Sequence, residues 1–167
     1  MRRLTALLAS ALLLAAIAPA GDAAAPERMG FGVYGDARVG DTPAEVRRKV
    51  PGLEPCHQLS GSCVCASVEV GERAVVFVYR LDRSSRVDLI FTSSSAVTGP
   101  RGIRVGDGVN RLKRLFPRAH PGPSIYGTRH FVVNKGRIGL LAAVRGGRIT
   151  QLTTGRNRFF NYVEYCS

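Results

Sequence analysis

Apolar and polar positions fall in the same order twice along this chain. Val39-Gly-Asp-Thr-Pro-Ala-Glu-Val-Arg-Arg-Lys-Val-Pro51 recurs 66 residues later as Val105-Gly-Asp-Gly-Val-Asn-Arg-Leu-Lys-Arg-Leu-Phe-Pro117. Both copies place apolar residues four apart, Val46 with Val50 and Leu112 with Phe116. Basic residues stand between them, so each copy is predicted to be a short helix with one buried stripe. Val109 extends the second stripe. In the first copy Thr42, Pro43 and Glu45 fit the N-cap and the first and third helical positions. There Thr and Glu satisfy each other's backbone amides and Pro loses no needed donor. In the second copy Asp107 or Gly108 is expected to cap. Gly40 and Gly106 precede the cap, where a sharp turn favours a positive φ. Asp41 and Asp107 are read as capping groups at helix starts, where carboxylates meet orphan amides and the positive dipole end. A pattern repeated at this period indicates two copies of one supersecondary unit.

Strand patterns follow each helix. In the first half they cover Cys63 to Val70, Ala74 to Arg80 and Arg86 to Thr92; in the second, Arg129 to Val133, Ile138 to Val144, Ile149 to Thr154 and Phe159 to Val163. Turn residues separate them, and Arg145-Gly-Gly-Arg148 is a strong hairpin signal. The expected fold is α+β: two tandem repeats, each a short helix followed by an antiparallel β-meander, with the helices on one face of a shared sheet. The repeats are placed at 31–95 and 96–167, as one structural unit.

Upstream, Met1-Arg-Arg3, an apolar run from Leu4 to Ile17 and Ala18-Pro-Ala20 have the form of a secretory signal peptide, with cleavage expected after Ala20. Residues 21–30 read as a flexible leader. The apolar run is shorter than the ~20 residues that span a bilayer, and no transmembrane segment is expected in the mature chain. The protein is therefore expected to be exported, to the periplasm or the medium.

Charge separates the halves. Residues 21–95 carry 9 basic and 10 acidic residues, a net of −1; residues 96–167 carry 13 basic and 2 acidic residues, a net of +11. Such an asymmetry points the second half toward an anionic partner, either a cell-envelope component or an acidic protein. Arg111 and Arg114 share the exposed side of the second helix by their spacing. Alternate turns of a meander lie at one end of the sheet. Turns 134–137 and 155–158 are thus expected to gather Lys135, Arg137, Arg156 and Arg158 at one edge, with Arg145 and Arg148 at the other.

The four cysteines are Cys56, Cys63, Cys65 and Cys166. An even count in an exported chain implies disulfides. Cys63 to Cys65 would make a strained ring, so Cys166 is expected to pair with Cys63 or Cys65 and Cys56 with the other. The favoured set is Cys56–Cys63 with Cys65–Cys166, whose long loop would contribute up to ~4–5 kcal/mol in the chain-entropy model. Cys56-His57 and Cys63-x-Cys65 match no standard zinc spacing, and neither a metal nor a cofactor is expected.

No nucleophile elbow, phosphate loop or paired-carboxylate pattern stands out. Aromatic residues do not interleave the basic ones as in single-strand nucleic-acid binders. No enzymatic activity and no nucleic-acid partner are expected.

The tandem Val-Gly-Asp motifs, each followed by a meander, resemble secreted bacterial proteins of the β-lactamase inhibitor protein type and small outer-membrane assembly lipoproteins. Gly102-Ile-Arg-Val-Gly-Asp107 and Tyr162-Val-Glu-Tyr-Cys-Ser167 are similar to small exported bacterial proteins with two such repeats. The resemblance covers 31–167 and implies a concave sheet backed by helices. No lipidation Cys follows the apolar run, unlike the assembly lipoproteins. The functional expectation is a non-enzymatic binding protein. The alternative is a secreted inhibitor of an extracellular enzyme, using exposed aromatic anchors on the concave face such as Tyr79, Tyr126, Phe131 and Tyr162.

Overall fold

A computed structural model describes residues 27–56, 63–80, 85–124 and 128–160. The signal segment, most of the leader, His57, Tyr126, Tyr162 and Cys166 lie outside the described residues.

Chain order is β1 (Met29–Gly30), β2 (Val33–Tyr34), β3 (Ala37–Arg38), α1 (Pro43–Lys49), β4 (Glu54–Pro55), β5 (Cys63–Val70), β6 (Arg73–Arg80) and β7 (Val87–Thr92). A 3₁₀ turn at Pro100–Gly102 leads to α2 (Val109–Leu115), β8 (His120–Pro121), β9 (Arg129–Lys135), β10 (Ile138–Arg145) and β11 (Arg148–Arg156), then a 3₁₀ turn at Asn157–Phe159. The described strands make a small sheet, β1-β2-β3, and a large one ordered β4-β5-β6-β7-β11-β10-β9-β8. All pairs in the large sheet are antiparallel. β7 and β11 meet at its centre, with Thr92 opposite Leu152 and Leu89 opposite Gly155. The architecture is α+β, mostly antiparallel sheet with two helices.

Alternation along the strands assigns the core. Val75, Phe77 and Tyr79 of β6, Ile90 of β7, Leu140 and Ala142 of β10 and Leu152 of β11 share one cluster with Val46 and Val50 of α1 and Leu112 and Phe116 of α2. Met29, Tyr34 and Ala37 of the small sheet join the same cluster, and the Tyr34 ring meets Phe77 edge-on at 5.9 Å.

Both Val-Gly-Asp motifs make the same bonds. The Gly40 amide donates to the Val87 carbonyl and the Val87 amide to Asp41, each at 2.8 Å. Correspondingly, the Gly106 amide donates to Ile149 and the Ile149 amide to Asp107, at 2.8 and 2.9 Å. An arginine one residue before each partner closes the turn: Arg86 donates to the Gly40 carbonyl at 2.8 Å and Arg148 to the Gly106 carbonyl at 3.0 Å. Gly40 and Gly106 hold φ of +98° and +93°, the left-handed side that a Cβ disfavours. At the Arg145–Arg148 hairpin, Gly146 and Gly147 both have positive φ, as a type I′ turn requires.

Two expectations are corrected. Met29 and Gly30 belong to β1 rather than to a leader: Met29 is buried and its amide donates to Thr98 at 2.9 Å. Phe159 does not begin a strand but ends the 3₁₀ turn. The rest of that expected strand, 161–163, lies outside the described residues. Sequence reading also missed the edge strands β4 and β8; each contains a proline, which removes a ladder donor and is tolerated at an edge.

Candidate functional site

Arg137, Arg156 and Arg158 of the second half meet at the end of the sheet where β9 turns into β10. The turn brings Arg137 beside the end of β11, since Ile138 pairs with Arg156. The Asn157 amide donates to the Arg137 carbonyl at 3.0 Å, and the Asn157 side chain donates to the Gly136 carbonyl at 2.7 Å. These bonds hold the 3₁₀ turn against the β9–β10 turn. The result is an open groove of about 530 Å³ lined by Val39, Gly136, Arg137, Ile138, Arg156, Asn157 and Arg158. Its local acid is Asp88, a buried residue whose carboxylate lies 3.3 Å from Arg156. Arg137 and Arg158 are exposed, and the Arg158 guanidinium rests over the Phe159 ring at 4.6 Å.

Lys135 lines a second groove, of about 620 Å³, with Phe31, Arg101, Phe116 and Arg118 among its walls. Phe31 and Phe116 pack edge-on, their centroids 6.2 Å apart. Lys135 lies over Phe31 at 5.5 Å and Arg101 over Phe116 at 5.3 Å. Arg101 and Arg118 were missed from the sequence, because only the fold sets the Pro100–Gly102 turn against the end of α2. Arg101 donates to the Leu115 carbonyl at 2.5 Å, satisfying an orphan acceptor at the helix end. It has a φ of +56°, a backbone conformation costly for a residue with a Cβ.

Of the six basic residues singled out from sequence, the structure brings Arg137, Arg156 and Arg158 to one groove and Lys135 to the other, while Arg111 and Arg114 line neither. Arg111 pairs with Asp107 at 3.1 Å and donates to the Gly102 carbonyl at 3.3 Å; Arg114 is exposed on α2. Arg145 and Arg148 pair across the hairpin at the opposite end of the sheet, as expected.

The capping box at α1 is complete. The Glu45 amide donates to Thr42 Oγ1 at 3.3 Å, and the Thr42 amide donates to Glu45 Oε2 at 2.7 Å. That backbone bond, followed by the Thr42 hydroxyl, lowers the Glu45 pKa below the usual carboxylate range. Asp41 and Asp107 do not cap as expected. Each accepts the amide three residues earlier, Asp41 from Arg38 at 2.7 Å and Asp107 from Arg104 at 2.8 Å. They brace the turn that enters the helix, one residue too early to reach the helix amides, and each pairs with a base: Asp41 with Lys49 at 2.7 Å, Asp107 with Arg111. Gly108 is the second N-cap, with no side-chain bond.

The favoured disulfide set is also overturned. Cys56 bonds Cys65, with the Cα atoms 5.3 Å apart. β4 pairs with β5 so that Pro55 faces Ala66, which sets the next residue, Cys56, beside Cys65. Among the described residues no three His, Cys, Asp or Glu side chains are grouped to hold a metal, and no helix is long and apolar enough to cross a membrane. Tyr79 and Phe131, two of the aromatic anchors expected on an open face, are buried in the main core. Burial raises the Tyr79 hydroxyl pKa to about 12.

No family model matches the chain, and none of the curated proteins compared with it matches. Among solved structures, it is similar to a cysteine-rich secretory protein from Staphylococcus aureus, at 6% identity over 72% of this chain and 45% of that one, with a TM-score of 0.51. A DUF4309-family protein from Bacillus subtilis aligns at 13% identity over 70% of this chain and 79% of that one, with a TM-score of 0.48. The chain spans less than half the length of the staphylococcal protein. Neither is described as a β-lactamase inhibitor or an outer-membrane lipoprotein, and the staphylococcal likeness is one of fold alone.

Proposed function

We propose that the protein is an exported binding module whose second half takes an anionic group of the cell envelope. The observation that carries this reading is the groove lined by Arg137, Arg156 and Arg158, with Lys135, Arg101 and Arg118 on the neighbouring groove. Arg156 is neutralised by Asp88 and acts as a fixed wall. Arg137 and Arg158 are the exposed charges that would meet phosphate or carboxylate oxygens, with Arg able to do so through two parallel bonds. The Cys56–Cys65 disulfide supports export, and so does the signal-like segment at 1–20.

The reading includes a tandem origin. The matched bonds at Gly40 and Gly106, and a large sheet in which each helix precedes four strands, support two copies of one unit. They are also what favours the resemblance to the inhibitor-type and assembly-lipoprotein folds. The inhibitor alternative loses Tyr79 and Phe131 as anchors, since both are buried.

Binding of the mature protein to phosphatidylglycerol vesicles, compared with phosphatidylcholine vesicles at low and high salt, tests the reading. Exposed charges are screened beyond ~8–10 Å at physiological ionic strength, so binding should collapse as salt rises. At ~1 kcal/mol per basic residue near an anionic surface, Arg137→Glu with Arg158→Glu should weaken it more than ~10-fold. Equal binding to neutral vesicles, or binding indifferent to salt, defeats the proposal. Capture of an acidic protein without vesicle binding would move the partner from envelope to protein.

A further inference from the structure

Between β1 and β2 the chain turns on Phe31 and Gly32, so a large apolar side chain stands where turns favour small or polar residues. The sheet holds this turn in place. The Gly32 amide donates to Thr154 Oγ1 at 2.6 Å, and the Gly32 carbonyl accepts from the Val39 amide at 2.8 Å. Thr154 is fully buried in β11 and donates in turn to the Gly139 carbonyl at 2.9 Å. Phe31 is thus fixed by backbone bonds, yet it remains only partly buried. With its edge-on partner Phe116 and with Val133 of β9 it forms the apolar floor of the second groove.

Around that floor, among the described residues, stand cations without an acid. Arg101, Arg118 and Lys135 line the groove and are exposed, and no Asp or Glu lines it. The first groove differs, because Asp88 neutralises Arg156 there. Arg101 is held by its bond to the Leu115 carbonyl, in a left-handed backbone that glycine would adopt at less cost. Alternation along β9 puts Lys135 on the same side of the sheet as Val133. Lys135 lies over Phe31 and Arg101 over Phe116. Each ring is therefore already engaged by a cation and by the other ring. What the floor offers a guest is apolar contact more than a free stacking face, which suits a chain better than another ring. The volume, about 620 Å³, is that of a small-molecule site.

We propose that this groove binds a single-chain amphiphile with a phosphate monoester head, its alkyl or acyl chain on Phe31, Phe116 and Val133 and its phosphate among Lys135, Arg101 and Arg118. A phosphate monoester carries roughly −1.5 to −2 charges at neutral pH, more than a carboxylate, and so matches a rim of several cations better. Arg101 and Arg118 are able to meet two phosphate oxygens each, while Lys135 acts as a point charge. Both parts of the ligand are needed, since the floor has no use for inorganic phosphate and the rim none for an uncharged chain. The inference rests on the reading of the second half as a binder of anionic groups and names the class of ligand for this groove. It differs from contact with a membrane surface in that the ligand is taken up as a single molecule.

Calorimetric titration of the mature protein with decyl phosphate, kept below its micellar concentration, tests this. Binding should be one-to-one, and each methylene added from butyl to decyl phosphate should tighten it about two- to fourfold until the groove is filled. Decanol and inorganic phosphate should each bind at least ~10-fold more weakly than decyl phosphate, and decanoate should fall between. Lys135→Gln with Arg118→Gln should weaken decyl phosphate binding ~10-fold or more. Arg145→Glu makes the same change in net charge at the opposite end of the sheet, and screening should hold its effect within about twofold. Affinity that does not change with chain length overturns the apolar floor. Equal losses in the two charge variants overturn the site and leave only diffuse attraction. Tighter binding of decanoate, or of naphthyl phosphate, than of decyl phosphate overturns the ligand class. Vesicles can be bound with no uptake of decyl phosphate, and decyl phosphate with no binding of vesicles, so failure of this site and failure of the surface reading are told apart.

Discussion

The turn that enters α1 and the turn that enters α2 share their backbone bonds, but the helices behind them are anchored in different ways. Thr42 and Glu45 satisfy each other at the start of α1, whereas α2 starts at Gly108 with no side chain to accept its amides. Behind α2 the compensation comes from tertiary contacts. Arg111 ties the helix to Asp107 and to the Gly102 carbonyl, and Arg101 closes its far end at Leu115. The start of α1 is thus stabilised by bonds within its own first turn and α2 by arginines at its two ends, while both entry turns also take an arginine from the sheet, Arg86 and Arg148. The difference accounts for part of the positive charge of the second half, since Arg101 and Arg111 hold α2, and Arg148 and Arg156 also have structural partners. The basic residues left to act on a partner are fewer than composition suggests, and they cluster where Arg137 and Arg158 lie.

The largest effect expected from this comparison is in the core. Leu112 and Val46 hold the same place in the two helices, and both are fully buried. Leu112→Ala should cost ~2–5 kcal/mol through lost transfer energy and the remaining cavity. Val46→Ala removes one carbon fewer and should cost ~0.8 kcal/mol less on transfer alone. Urea unfolding measures both, and near-zero cost at either site would mean that the helix is not anchored through that residue. Next come the turns: Gly40→Ala and Gly106→Ala meet no neighbour, so each should cost only the left-handed strain, ~1–2 kcal/mol. Unequal losses would break the equivalence of the two turns.

Smaller effects sharpen the contrast in capping. Thr42→Ala should lose ~0.5–2 kcal/mol, while Gly108→Ser, which supplies the missing acceptor, should gain a few tenths. The lowered pKa of Glu45 gives the first cap a pH signature. Its contribution is complete above the unfolded-state pKa and is lost as pH falls through the lowered folded value. Thermal melts of wild type and Glu45→Ala should therefore converge in acid.

The smallest expected change concerns Tyr79, whose buried hydroxyl has no hydrogen-bond partner among the described residues. Tyr79→Phe should be neutral or slightly stabilising near neutral pH, because it removes an unsatisfied polar atom without removing the ring. In alkali the sign is clear. The folded pKa of about 12 lies above the ordinary 10.0, so only the unfolded chain ionises in that window and stability falls as pH rises. Melting curves across it should fall less steeply for the variant. An equal slope would assign the alkaline loss to other groups, such as Tyr34, whose pKa burial also raises.

What the chain determines by itself is local. The four-residue spacing of Val46 and Val50, the Thr42-Pro43-Glu45 start, the glycines at 40 and 106 and the hairpin at 145–148 act within a turn or two, and each forms as its residues indicate. The meeting of Arg137 with Arg156 and Arg158 was also legible, because adjacent meander strands bring alternate turns together. The tertiary structure alone decided that β11 pairs with β7 at the centre of the sheet. It alone decided that β4 seats Cys56 against Cys65 and that Arg101 joins Lys135 beside Phe31 and Phe116. Those contacts join segments far apart in sequence. Pairing along a sheet edge is a competition among all available strands, and no stretch of residues encodes its outcome alone.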